Sequence, residues 1–132
     1  MKIFIILIIF LISFLNADVK IIASPLCKVE ALSRHEIKNI FMVKKRSIAN
    51  ESVIILDSLN RETYIIFIKK FLNKSSRKMK VYWTRMLFTG KKIPPKKLSI
   101  KELNSLDTNS SCYLSYVEEK KKPNKWSFIH IK

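Results

Sequence analysis

The chain has 132 residues and a formal net charge of +16 at neutral pH, from 26 Lys and Arg residues against 10 Asp and Glu residues. This length suits one domain and is too short for two lobes that close around a solute. The charge favours acidic partners. Because only five basic residues are arginine and the lysines are scattered, the composition does not favour specific nucleic-acid binding.

Residues 1–17 have the pattern of a secretory signal peptide. Lys2 precedes the apolar run Ile3–Leu15, and a small residue follows shortly after it. The run is shorter than the roughly 20 apolar residues that a membrane span requires. We therefore expect a mature chain of residues 18–132 that is periplasmic or secreted and is not an integral membrane protein. An uncleaved N-terminal anchor is the alternative.

The first half of the mature chain predicts two strands and a helix between them. Residues 19–24 are rich in β-branched side chains and end at a Ser-Pro pair, which is typical of a strand. A helix is predicted over residues 32–42, because Ser33 and Glu36 have the spacing of a capping box. Val53–Leu56 predicts a second strand whose continuous apolar character suggests burial on both faces. The segment before this strand is predicted as a loop.

A second helix is predicted after this strand, with Ser58 or Asn60 as its N-cap and Asn73 near its end. The residues that recur at helical spacing define its expected apolar face: Tyr64, Ile65, Ile68, Phe71 and Leu72.

The next segment predicts a third helix, capped by Ser75 or Ser76 and ended by Gly90, the only glycine of the chain. Its periodic apolar residues are Met79, Tyr82, Trp83, Met86 and Leu87. Met79, Tyr82 and Trp83 form an aromatic-rich stripe with Phe88, which we interpret as core, with a binding groove as the alternative.

The last third of the chain predicts a short helix with a second capping box at Ser99 and Glu102, and then two strands that form a terminal hairpin. The strands are Cys112–Val117 and residues 126–132, and their aromatic residues are expected to pair across the hairpin: Tyr113, Tyr116, Trp126 and Phe128. The order β-α-β-α-α-α-β-β predicts an α/β fold with a mixed sheet of about four strands flanked by helices.

Two cysteines, Cys27 and Cys112, lie in a chain that is expected to leave the cytoplasm. An even number of cysteines in an oxidising compartment favours a disulfide, and this one would close a loop of about 85 residues. Two buried free thiols are the alternative.

Three segments resemble the phosphate-binding periplasmic proteins of the type-2 solute-binding fold. They are "LSRHEIKNIF" at residues 32–41, "VYWTRMLFTGKKIPPKKL" at 81–98 and "SSCYLSYV" at 110–117, and they occur in the order and at the spacing found in that family. The resemblance covers most of residues 19–117 and implies a single lobe of a fold that has two lobes in the full-length binders.

This chain departs from the family at its glycines. Val43 stands where the family has a glycine, in "IFMVKK", and "LDSLNRETY" at residues 56–64 stands where the family has an arginine and a "GSGT" run that hold the anion. Glycines let backbone amides approach an oxyanion closely, so their loss weakens the expected site.

The resemblance and the predicted helix start together give a candidate site for a weakly held anion such as phosphate: Ser58, Asn60, Arg61 and Thr63. Ordinary helix capping by the same residues is the competing interpretation. We find no catalytic signature, metal-ligand cluster or cofactor motif in the sequence.

The sequence therefore predicts a non-catalytic binding or interaction module that holds a small anion or docks on an envelope protein. The alternative is a basic envelope-associated protein that binds anionic lipid or wall polymer. In that case the lysine-rich segments at residues 91–97 and 118–125 would make the contact, whereas otherwise they are solvated loops.

Overall fold

The computed structural model describes residues 18–132. The predicted signal peptide lies outside the described residues. The strands are β1 (Val19–Ala23), β2 (Ala31–Leu32), β3 (Ser47–Ile48), β4 (Glu51–Ser58), β5 (Lys96–Leu98), β6 (Cys112–Glu118), β7 (Ser127–Phe128) and β8 (His130–Ile131). The helices are α1 (Arg34–Phe41), α2 (Arg61–Phe67), α3 (Ser76–Phe88) and α4 (Ile100–Ser105). A π-helical turn, Ile68–Leu72, continues α2, and a 3₁₀ turn, Glu119–Lys121, follows β6.

The main sheet has the strand order β3-β4-β6-β1-β7, and β5 also pairs with β4. Strands β4, β5 and β6 are parallel, and β1 runs antiparallel to β6. The predicted α/β fold with a mixed, helix-flanked sheet is therefore confirmed. Because β4, β5 and β6 are parallel, their carboxyl ends, at Ser58, Leu98 and Glu118, meet at one edge of the sheet.

Helices cover both faces of the sheet, because residues along β1 and β6 alternate between two hydrophobic clusters. Ile21 belongs to the larger cluster, with side chains of α1, α2, the π-helical turn and α3. Its neighbour Ile22 belongs to the smaller cluster, with Trp126 and residues of α4. The result is a three-layer arrangement of the kind that buries both faces of a largely parallel sheet.

The local signals for helix ends are confirmed. Both capping boxes, Ser33 with Glu36 and Ser99 with Glu102, have reciprocal hydrogen bonds between side chain and backbone. At the end of α3, the Gly90 and Lys91 amides donate to carbonyls of the last helical turn, and Gly90 has a φ of 66°. Gly90 thus ends the helix in the left-handed conformation that glycine adopts at least cost.

The predicted terminal hairpin is wrong, because β1 lies between the two strands. Both β6 and β7 pair with β1, and Tyr116 lies opposite Ile21 instead of an aromatic residue of the last strand. The final segment also divides into β7 and β8, and β8 pairs with β2 in a separate two-stranded sheet. The loop predicted before β4 contains β3, which joins β4 through a two-residue turn with positive φ at both positions.

Three burial predictions are wrong in part. Ile68, Phe71 and Leu72 are buried as predicted. In α2 itself, however, Phe67 is fully buried in place of Tyr64 and Ile65, because the π-helical turn shifts the phase of the apolar side. Ile54 of β4 is exposed, so that strand is not buried along its length on both faces. In the α3 stripe, Met79 and Trp83 are core residues and Tyr82 packs against the core, whereas Phe88 is exposed. Leu87, another periodic residue of this helix, is also exposed.

The Cys27–Cys112 disulfide is present, with the two Cα atoms 4.6 Å apart. It joins the segment after β1 to the first residue of β6 and closes a loop with a sequence separation of 85 residues. The bridge therefore ties the two central strands of the sheet to each other at one end.

Candidate functional site

Two cavities flank the turn that follows β4, at the carboxyl edge of the parallel strands. Ser58 and Leu59 line both of them. This edge is the usual ligand-binding place in open α/β sheets, because loops and helix starts converge there around the strand ends. The four residues of the predicted anion site are not brought together in one cavity. Asn60 and Thr63 line the first cavity and Arg61 lines the second.

The start of α2 is capped by its own side chains. The Asn60 side-chain oxygen accepts a hydrogen bond from the Thr63 amide at 3.0 Å, and the Ser58 hydroxyl accepts one from the Asn60 amide at 3.1 Å. Thr63 is buried. These contacts match ordinary capping, so two of the amides at this helix start already have acceptors.

The first cavity, of about 310 Å³, is close to electrically neutral. It lies between the starts of α2 and α4, and its charged lining residues are Glu118 and Lys121. These two form an ion pair at 3.3 Å. A site in which the one cation is paired with a carboxylate offers little attraction to an anion.

The second cavity, of about 520 Å³, is cationic, and we call it the cationic cavity. Arg61 from α2, Lys80 from α3 and Lys97 from β5 line it, and Asp57 is its acidic lining residue. Within residues 18–132 none of the three cations forms an ion pair. Apolar walls complete the cavity, formed by Tyr64, Trp83, Pro94 and Pro95.

Asp57 is a buried carboxyl group held by a tyrosine. The Tyr116 hydroxyl donates to Asp57 Oδ1 at 2.8 Å and accepts from the Ser58 amide at 3.1 Å. Burial raises the pKa of Asp57 from 3.8 to about 6, and the Tyr116 hydrogen bond and the Lys97 charge reduce that rise. Asp57 is therefore mostly ionised at neutral pH and becomes neutral in mildly acidic solution, which makes the cavity more cationic.

Lys97 and Tyr64 form a second coupled pair in this cavity. Lys97 Nζ lies 4.5 Å from the centre of the Tyr64 ring, within the range of a cation–π interaction. Burial, together with the negative charge of Asp57, raises the pKa of Tyr64 to about 12. The Tyr64 hydroxyl thus stays protonated at physiological pH and is available as a hydrogen-bond donor.

Lys80, Lys97 and Asp57 are candidate site residues that sequence reasoning did not identify. Lys80 lies in a helix and Lys97 in a segment predicted as a loop, and neither carries a motif. Asp57 had a usable signal, since it is the first charged residue after the apolar run of β4. A polar residue at the carboxyl end of a parallel strand is a good candidate for a ligand site.

Within residues 18–132 no group of three or more His, Cys, Asp or Glu side chains is placed to hold a metal ion. Over the same residues, no helix has the length and apolar character to cross a membrane. No protein-family model matches the chain, and no curated protein matches it at a significant level.

Proposed function

We propose that this protein is an exported, non-catalytic binding module that holds a small oxyanion of the phosphate or sulfate class in the cationic cavity. One observation carries the proposal. Arg61, Lys80 and Lys97, which form no ion pair within the described residues, come from three different elements and converge on a cavity at the carboxyl edge of the parallel strands. The protein's net charge of +16 attracts the same class of ligand over a longer range.

The proposed kinship with the phosphate-binding solute-binding proteins agrees with this location. The segment at residues 81–98, which carries part of the resemblance, contributes Trp83 and Pro94 to this cavity. Arg61 comes from residues 56–64, which stand in place of the family's anion-holding run. Val43, which stands where the family has glycine, has a φ of 54°. A β-branched residue is rare in that left-handed region, so the chain keeps a backbone conformation that suits glycine.

The geometry favours weak binding over tight capture. The cavity has walls from one lobe alone, and the Asp57 carboxylate opposes an anion at neutral pH. The Tyr116 hydroxyl donates a hydrogen bond to this carboxylate, and the hydrogen bond holds the Asp57 side chain in a fixed position. The Cys27–Cys112 bridge supports a location in an oxidising compartment such as the periplasm.

The test is thermal or urea denaturation of the purified protein in sodium sulfate, with sodium chloride of equal ionic strength as reference. A dissociation constant of about 1 mM would add about 1.4 kcal/mol to the free energy of unfolding at about 10 mM sulfate. Sulfate is preferred as the probe because, unlike phosphate, its charge does not change near neutral pH. Phosphate in the same assay at fixed pH compares the two oxyanions.

Matched variants separate binding from the general stabilisation that sulfate gives to proteins. Lys97→Gln removes a cation that lines the cavity, whereas Lys96→Gln removes its exposed neighbour on β5, which does not line it. We expect the sulfate effect to be lost in Lys97→Gln and retained in Lys96→Gln. Equal responses of the wild type and both variants would overturn the proposal.

A further inference from the structure

The end of α3 and the turn after it form a largely exposed tip, which we define as residues 85–93. The helix ends at Phe88, and the Gly90 and Lys91 amides turn the chain back by donating to the Leu87 and Met86 carbonyls, both at 3.1 Å. None of residues 85–93 lines the cationic cavity. The tip and the cavity are therefore separate surfaces.

The tip exposes large apolar side chains to an unusual degree. Phe88 is 89% exposed, Ile93 78% and Leu87 54%, although Met79 and Trp83 of the same helix are buried. Single exposed apolar residues are ordinary, but here three of them lie within one stretch of seven residues. Their exposure has no structural role in the described fold, since they pack into neither hydrophobic cluster.

The tip is basic. Residues 85–93 contain three Lys and Arg residues and no Asp or Glu, and Lys45 and Arg46 line a surface cavity together with Lys91 and Lys92. On the tip itself, Arg85 and Lys91 are exposed, and half-buried Lys92 donates to the Tyr82 hydroxyl at 3.4 Å. Within residues 18–132 none of these three cations forms an ion pair.

We propose that the tip docks on a lipid bilayer that carries anionic headgroups. Phe88, Ile93 and Leu87 enter the boundary between headgroups and acyl chains, and Arg85 and Lys91 contact lipid phosphates. A bilayer fits the tip because its acyl chains and anionic headgroups lie in adjacent layers. The apolar and basic side chains of the tip can therefore contact both at once. A nucleic acid would satisfy the cations but would leave Phe88 and Ile93 in water. The proposal does not depend on anion binding in the cationic cavity.

The test is co-sedimentation of the purified protein with vesicles of phosphatidylcholine containing about one-third phosphatidylglycerol, against pure phosphatidylcholine vesicles. We expect salt-sensitive binding to the anionic vesicles and little binding to the neutral ones. The double variant Arg85→Gln and Lys91→Gln should lower partitioning roughly 30-fold, because each cation near the surface contributes to the attraction. The pair Phe88→Ser and Ile93→Ser should lower it roughly tenfold.

The matched control is the pair Lys120→Gln and Lys125→Gln, which removes the same charge near β7, at the edge of the sheet opposite β5. It should change partitioning less than about threefold. Equal losses for the tip pair and the control pair would mean attraction by net charge alone and would overturn the proposal. Circular dichroism checks that each variant is folded.

Hydrogen exchange provides a local readout, which is needed because the apolar run at residues 3–15 would itself partition into a bilayer if it is retained. Anionic vesicles should slow exchange of amides in residues 85–93 and leave β7 unchanged. Attachment without protection of the tip would overturn the proposal. Protection that depends on protein concentration without vesicles would also overturn it, since it would indicate pairing between two copies of the chain.

Discussion

Replacing Asp57 with asparagine tests whether burial controls the ionisation of this carboxyl group. The amide has nearly the same shape and keeps an oxygen that can accept the hydrogen bond from Tyr116, so the hydrogen-bonded contact is preserved. What changes is the ability to carry a negative charge in a buried place. The variant therefore isolates the cost of that charge.

The magnitude follows from the pKa of Asp57 in the folded and unfolded chain. A value raised from 3.8 to about 6 corresponds to about 3 kcal/mol of unfolding free energy. Because the folded state binds the proton more tightly, this stability is fully present below about pH 3.8 and is lost as pH rises through about 6. Asp57→Asn does not titrate, so its stability relative to wild type should rise by about 3 kcal/mol across that window.

Urea denaturation at a series of pH values from about 3.5 to 7.5 measures this difference, without the ionic strength that guanidinium would add. Asp107→Asn, the same change at an exposed carboxylate, serves as the control and should stay within about 0.5 kcal/mol of wild type. If the difference in unfolding free energy between the wild type and Asp57→Asn does not change with pH, burial does not control the ionisation of Asp57. A difference of opposite sign would mean that Lys97 and its neighbouring cations outweigh desolvation.

Two further predictions concern stability. Reduction of the Cys27–Cys112 bridge should lower the free energy of unfolding by about 4 kcal/mol, because the bridge closes a long loop in the unfolded chain. Denaturation with and without reductant measures this difference, and an unchanged midpoint would contradict the prediction. Gly90→Ala should cost about 1 kcal/mol through its positive φ alone, since nothing lies within 4 Å of an added Cβ. Gly90→Asn should cost less, because asparagine tolerates that conformation better. If Gly90→Ala is more stable than the wild type, the positive φ of Gly90 does not make a side chain costly at this position.

Features that depend on a few neighbouring residues could be predicted from the sequence. The capping boxes of α1 and α4, the cap at Asn60 and the stop at Gly90 are all interactions within one turn of backbone. The alternation of helices and strands then suffices for the α/β class. The Cys27–Cys112 bridge is predicted by composition instead, because an even number of cysteines in a chain that is expected to be exported favours a disulfide.

Features that depend on long-range pairing required the tertiary structure. The sequence contains no signal that places β1 between β6 and β7, since any strand with an apolar face can pair with any other. The same holds for the cationic cavity, where Arg61, Lys80 and Lys97 meet only because β5 pairs with β4 and α3 packs over that edge. The exposure of Phe88 is also decided at this level: helical period predicts which residues share a face, and only the packed neighbours decide where that face meets water.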